Sequence, residues 1–363
     1  MKFRCERDLL VESLATAGRA VSTRGALPVL SCLRLVLHGD HLQITGSDLD
    51  LTISVDIDVA GEDDGESVIA AKLLVDIIRA LEPGAVVVET DADEARIECG
   101  RSQFSLLVRR SEDFPQLSQP TADAVKLDVE MFAEGLGQVV TAASADESRP
   151  VLTGVLLAAE GNGLRMVSTD SYRLAVRDLP GTSLLAEGQT VLVPSRALHE
   201  LKRVLGHADN MTLVLGEREA SFVVGGTRLT TRLIEGEFPN YRQLIPQSQP
   251  NRLTVGREQL IDAVRRVKLM AREATPIRLS MRDGSLELIA VTQELGKAHE
   301  EIDAHYTGED LMVAFNPEYL LDGLEVAPGA EVTLETVDPQ RPALLRSTDS
   351  DDFLYLLMPV RVS

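Results

Sequence analysis

The sequence predicts an α+β protein made of three repeats of about 120 residues, each with two helices packed on antiparallel sheet. Three observations predict it. A layout of helix, strand, glycine turn and strand starts at Asp8, Glu130 and Glu258, 122 and 128 residues apart. A second layout, a short strand running into a helix, starts at Lys72, Arg196 and Pro317, 124 and 121 residues apart. The two markers are independent and give one period. Each repeat also closes on a proline-marked joint: Phe114-Pro115-Gln116-Leu117 with Pro120, Phe238-Pro239-Asn240-Tyr241 with Pro246 and Pro250, and Met358-Pro359. Proline lacks the amide hydrogen that a central strand needs, so it suits linkers and edges. Domains of 1–119, 125–246 and 252–363 follow, each with about eight short strands.

In the first repeat, Leu9, Leu10, Leu14, Ala17 and Val21 recur with a period near 3.6, and the runs Leu33–Leu37 and Leu42–Thr45 alternate with a period of 2. Gly39-Asp40 turns between those strands, with His38 and His41 as solvated flanks. A second helix starts at Lys72 with Leu73, Leu74, Ile77 and Ile78. The second repeat carries Met131, Phe132, Leu136, Val139 and Val140, then strands at Gly154–Leu157 and Leu164–Val167 about the turn Gly161-Asn162-Gly163. Its second helix holds Ala197, Leu198 and Leu201. The third has Leu260, Ile261, Val264 and Val267, strands at Ile277–Ser280 and Leu286–Ile289 about Asp283-Gly284, and a helix from Pro317 to Leu324. Two amphipathic helices cover only one face of such a sheet, so the helices of all three repeats can share a layer.

Composition bounds the function. With 36 Lys+Arg against 57 Asp+Glu the net charge is −21, which argues against an ordinary open-surface nucleic-acid binder. No run approaches the roughly 18 apolar residues of a membrane span, and the first residues run straight into charges, so neither a membrane nor a secreted protein is expected. Cys5, Cys32 and Cys99 form no C-x-x-C pair, which suits a reduced, cytoplasmic protein. Neither cysteines nor histidines cluster at ligand spacing, so no metal and no cofactor are expected. No G-x-S-x-G is present, and Gly296-Lys297 lacks the rest of a phosphate loop. Asp48 with Asp50, and Asp349 with Asp351 and Asp352, are carboxylate clusters that suit metal or acid/base work on a strand, but a solvated hairpin tip explains them more simply. No catalytic residue is assigned. An acidic protein-binding scaffold acting as a DNA mimic, and a hydrolase using Asp48 and Asp50, stand as the competing functions.

Four stretches carry a resemblance. They are Val167-Ser168-Thr169-Asp170-Ser171-Tyr172-Arg173-Leu174-Ala175-Val176, the joint Gly236-Glu237-Phe238-Pro239-Asn240-Tyr241, the ending Met358-Pro359-Val360-Arg361, and the opening Met1-Lys2-Phe3 with Leu27-Pro28-Val29-Leu30. In order and spacing, over essentially the whole chain, they resemble the bacterial sliding clamps, the beta subunits of DNA polymerase III. The resemblance implies the DNA clamp fold and a head-to-tail homodimer, a six-domain ring with helices toward the hole. It implies a non-enzymatic processivity factor that encircles double-stranded DNA without reading sequence. The implied partners are a second copy, a clamp loader, the polymerase alpha subunit and other proteins bearing a clamp-binding motif.

That expectation makes the charge testable. The helical segments 7–20, 72–81, 130–143, 195–205, 257–272 and 316–324 carry 0, +1, −2, +2, +3 and −2, together +2 over 74 residues, leaving −23 on the other 289. The resemblance then implies DNA-facing roles for Arg24, Lys72, Arg149, Arg196, Lys202 and Arg265, against the plainer alternative of solvated helix residues in i, i+4 pairs. It implies a peptide cleft at Leu152, Thr169, Tyr172, Arg173, Leu174, Pro239, Leu244, Met358, Pro359, Val360 and Arg361, supported by Asn316 and Tyr319. Apolar anchors with a few polar orienters suit an extended peptide, although Leu152, Leu174 and Leu244 are equally natural as core. Ser171-Tyr172 stands where some members carry Gly-His, Gln243 where others carry Arg, and Ser363 where the chain often ends in Leu. The ring seam is expected at an edge strand around Phe104, meeting Leu269 and Met270 of the other subunit.

Overall fold

Short apolar–polar alternations become strands and the six 3.6-period stripes become helices in the computed structural model, which describes all residues except 23–26, 118–119, 162, 207, 209, 273–274, 294 and 362–363. The helices are α1 (Arg7–Gly18), α2 (Ala71–Ala80), α3 (Val129–Val139), α4 (Ser195–Leu205), α5 (Arg257–Lys268) and α6 (Pro317–Val326). α1, α3 and α5 stop two, four and four residues short of the helical segments 7–20, 130–143 and 257–272. α3 gives way to a 3-10 turn at Val140–Ala142, where Val139, Val140 and Thr141 are stiff β-branched neighbours. α5 ends at Lys268, and the next amides tighten onto carbonyls three residues back, Leu269 on Arg266 at 3.2 Å and Met270 on Val267 at 3.1 Å.

The chain forms two compact units, Met1–Val129 with His199–Leu233, and Glu130–Leu198 with Ile234–Ser363. The first holds a thirteen-stranded antiparallel sheet. α1 and α2 pack together, and α1 buries Leu10, Leu14 and Ala17 against the sheet. Gly46 permits that approach, because a Cβ there would lie 2.2 Å from the Ala17 carbonyl oxygen. Within this sheet the strand Leu51–Asp58 pairs with the distant strand Thr227–Arg232.

The second unit holds a nine-stranded and a four-stranded sheet. In the larger, Gly154–Glu160, Gly163–Thr169 and Arg173–Pro180 are followed in hydrogen-bonded order by Phe353–Leu357, Ala343–Ser347 and Glu331–Thr336. The step from residue 180 to residue 353 pairs Leu174 with Leu356 and Arg173 with Leu357. α6 starts on Asn316, whose side chain accepts from the Glu318 and Tyr319 amides at 2.9 and 3.4 Å. Gly323 of α6 lies so close to Tyr355 that a Cβ would fall 2.5 Å from its ring. This contact fixes the phenol under the helix.

Candidate peptide-binding site

The site is built on the hairpin turn between Gly163–Thr169 and Arg173–Pro180. Ser171 occupies the left-handed region at φ 81°. Thr169 Oγ1 accepts from the Ser171 amide at 3.1 Å and donates to the Arg173 carbonyl at 2.6 Å. The Asp170 carboxylate accepts from the Tyr172 and Arg173 amides at 2.9 and 3.0 Å. This Asx turn sends consecutive side chains to opposite fates: Tyr172 is 59% exposed and Arg173 9%.

Arg173 fans its donors in four directions. Nε donates to Asp170 at 3.0 Å, Nη2 to the Thr141 carbonyl at 2.7 Å, and Nη1 to Asp322 and, at 3.4 Å, to the Tyr355 hydroxyl. The guanidinium also lies 4.4 Å from the Tyr319 ring centroid, a cation–π contact. Burial works against the charged form, but Tyr355 and Asp322 outweigh it, so the Arg173 pKa moves up. Burial likewise raises the Tyr355 phenol. Tyr319 carries the scaffold outward by stacking on Tyr172 at 6.4 Å between centroids and 27° between planes.

The C-terminal run forms the adjoining wall. The Met358 amide donates to the Tyr172 carbonyl and the Val360 amide to the Ala314 carbonyl, both at 2.8 Å. Met358 is 38% and Leu244 47% exposed, and Pro239 and Arg361 also face solvent. The predicted cleft residues therefore divide in two. Tyr172, Pro239, Leu244, Met358 and Arg361 offer surface, with Pro359 and Val360 half-buried. Leu152, Thr169, Arg173 and Leu174 are buried and hold that surface from beneath, while Asn316 caps α6. Leu174 belongs to a core cluster with Val167, Val176, Tyr241, Leu344, Leu354 and Leu356. Asp322 and Tyr355, which position Arg173, escaped the sequence reading; the only available signal was an acid and a phenol on an otherwise apolar helix face and strand.

Of the expected DNA-facing residues, Arg24 lies outside the described residues. Lys72 is exposed in the first turn of α2, and Arg196 and Lys202 are exposed on α4. Arg149 is held by Asp146 at 2.8 Å and by Ser171 Oγ at 3.1 Å. Arg265 reaches Glu325 at 2.8 Å. Phe104 sits on the strand Ser102–Arg109, whose residues 102–107 pair, among the described residues, only with Glu94–Cys99. It is 40% exposed, and Leu107 on the same edge is 84% exposed. Leu107 was missed, although the doublet Leu106-Leu107 breaks the alternation and asks for cover on both faces. Leu269, just past α5, is 80% exposed and Met270 is half-buried.

The carboxylates of the hydrolase reading have structural uses. Asp48 accepts from the Asp50 and Leu51 amides at 3.1 and 2.8 Å, and Asp50 lies 3.6 Å from Arg232. Among the described residues no helix is long and apolar enough to cross a membrane.

Three family models cover the chain: the N-terminal, central and C-terminal domains of the DNA polymerase III beta subunit match residues 1–118, 126–240 and 242–361. The beta sliding clamp of Streptomyces coelicolor is 36% identical over 380 residues, and that of Synechocystis 32% over 391, each covering 100% of both proteins. Among solved structures, the Bacillus subtilis DNA polymerase sliding clamp matches with a TM-score of 0.93 at 30% identity over 100% of both chains. A Pseudomonas aeruginosa clamp bound to griselimycin matches with a TM-score of 0.92 at 30% identity, again over 100% of both chains. Matched along its whole length by these three domain models and by full-length relatives, the chain belongs to the DNA polymerase III beta subunit family, the bacterial beta sliding clamps.

Proposed function

We propose that two copies of the chain close head to tail into a ring around double-stranded DNA and tether the polymerase alpha subunit and other motif-bearing proteins through the Tyr172–Met358 cleft. The chain makes and breaks no bond; it is a processivity factor. Each copy contributes three domains, 1–119, 125–246 and 252–363, and a cytoplasmic clamp loader opens the ring. The observation that carries the proposal is the separation of charge, +2 on the six helical segments against −23 on the rest. An acidic exterior repels DNA, while near-neutral helices line a hole where retention is topological and contacts need only be weak. Many helix cations are already engaged, Arg265 with Glu325 and Lys268 with Glu318, which softens their grip on phosphate further.

Two unlike unpaired edges favour a head-to-tail seam. One is the stretch Ser102–Leu107, with Phe104, Leu107 and nearby Arg101 and Arg110; the other is Gly296–Asp303, an outer strand of the four-stranded sheet, bearing Glu301 and Asp303. Such edges are aggregation-prone when bare and complementary when joined. Clamp loaded on nicked circular DNA should stay through a high-salt wash and slip off once the circle is linearised. Retention that ignores linearisation would overturn the topological mechanism. Met358→Ala with Arg361→Ala should weaken binding of a Gln-and-apolar peptide while the dimer persists in sedimentation; unchanged peptide affinity would displace the cleft.

A further inference from the structure

Most arginines of the third repeat are neutralised in place: Arg282 by Glu287 at 3.8 Å, Arg341 by Asp338 at 3.3 Å, and Arg346 by Glu335 at 3.6 Å. Arg278 and Arg361 are the exceptions. Among the described residues neither has an ion-pair or hydrogen-bond partner, and both line one cavity of about 450 Å³ that has no carboxylate in its wall. In a chain of net charge −21 such a cavity is where an anion finds attraction and not repulsion.

Register explains the convergence. Arg278 pairs with Ala314 across two strands, and the Ala314 carbonyl in turn accepts from the Val360 amide at 2.8 Å. Arg278, Ala314 and Val360 therefore lie side by side on three extended segments, with Arg361 next along the chain. Ala314, 2% exposed, makes a shallow floor between the two cations, and Met312, 51% exposed, and Pro339 add apolar walls. Val360 and Arg361 belong to this cavity and to the cleft alike.

We propose that the cavity is an anion-binding extension of the peptide cleft, in which Arg278 and Arg361 receive the carboxylate of an Asp or Glu that flanks the apolar anchors of a partner peptide. The proposal rests on the cleft assignment above. A guanidinium offers a planar fork that matches a carboxylate, and with no acid among the described residues to displace neither Arg278 nor Arg361 has to break a bond first. Elsewhere the acidic surface opposes an acidic peptide, so this contact sets orientation and partner preference as well as affinity.

The test uses the full-length protein and three fluorescent peptides with one Gln-and-apolar core: two Asp at the amino end, two Asp at the carboxyl end, or Ser at both. At low salt, one acidic peptide should bind about three- to tenfold tighter than the Ser peptide. In Arg278→Gln that advantage should vanish while the Ser peptide binds as before. Acidic peptides no tighter than the Ser peptide, or an advantage that survives Arg278→Gln, would overturn the proposal. An oligodeoxynucleotide that binds the protein but not Arg278→Gln would overturn it in favour of phosphate. Failure of all three peptides to bind would sink the cleft itself, a result distinct from loss of the acidic preference alone.

Discussion

Replacing Arg173 with Ala removes one side chain and strands several others. Asp170 and Asp322, whose side chains are 11% and 32% exposed, lose their cation, and the Thr141 carbonyl loses its donor. Breaking a buried pair costs roughly 3–5 kcal/mol. Two features lower that here. Asp170 keeps the Tyr172 amide, and that of residue 173, whatever the side chain, while Asp322 retains partial hydration. About 2–3 kcal/mol is expected. Because the protein has more than one unit, a single unfolding free energy is poorly defined, and local amide exchange is the better assay. Exchange in Arg173–Pro180 and Phe353–Leu357 should quicken roughly 30- to 150-fold. Ser102–Arg109 in the other unit should be unchanged. Peptide affinity should fall with it, since Tyr319, on which Tyr172 stacks, loses the cation beneath it. Arg173→Lys should recover less than half of the loss, because one ammonium cannot reach four acceptors in four directions. Full recovery by Lys, or a loss in Arg173→Ala below about 1 kcal/mol, would mean that the fan of donors does not hold the site.

Leu49 sits at φ 81° with a 39% exposed side chain, so Leu49→Gly should stabilise the first unit by a few tenths to about 1 kcal/mol, read as a higher melting temperature. Leu107→Ser with Leu269→Ser removes the two most exposed apolar side chains of the proposed seam and should raise the dimer dissociation constant by about ten- to a hundredfold in sedimentation equilibrium. Hydrogen bonds from Arg266 hold the Glu300 carboxyl below its ordinary value of 4.5. A folded-state pKa below the unfolded one means the contribution is complete above the ordinary value and lost as pH falls through the lower one, so Glu300→Gln should flatten the acid limb of melting temperature against pH below about 5.

What the sequence reveals and what it hides follow from the range of the interactions. Helices α1 to α6 and the hairpins at Gly39 and Gly284 are local in cause, set by apolar period and turn chemistry, and they fall within a few residues of where the stripes place them. Tyr172, Leu244 and Met358, expected at the cleft from the resemblance, do lie at the surface. Of the buried half, Leu152, Thr169, Arg173 and Leu174 were named from the resemblance, but the partners that hold Arg173 were not. Arg173 meets Asp322 and Tyr355 across 149 and 182 residues of chain, and no periodicity announces a pairing at that separation. Arg278 hides for the opposite reason: it stands out only because no described residue neutralises it, a property of the folded neighbourhood and not of the string.

The internal repeat also sets the proposed peptide site against its counterpart in the first unit. In the first unit Ser47 Oγ accepts from the Leu49 amide at 3.1 Å, and Asp48 accepts from the next two amides, the same turn that Thr169 and Asp170 make in the second unit. Each turn then takes an amide from the strand that crosses over: Arg232 donates to the Asp50 carbonyl at 2.9 Å, and Met358 to the Tyr172 carbonyl at 2.8 Å. Asp50 thus corresponds to Tyr172, Arg232 to Met358, and Leu51 to Arg173. In the first unit the surface pair is an acid and a base 3.6 Å apart beside a hollow of about 60 Å³, and the residue beneath is plain core. In the second the surface pair is a phenol ring and a thioether, both apolar and open to a peptide. A buried guanidinium stiffens the second turn from below. Two exchanges at the surface and one beneath it separate the self-satisfied turn of the first unit from the proposed receptor of the second, with the same backbone hydrogen bonds in both.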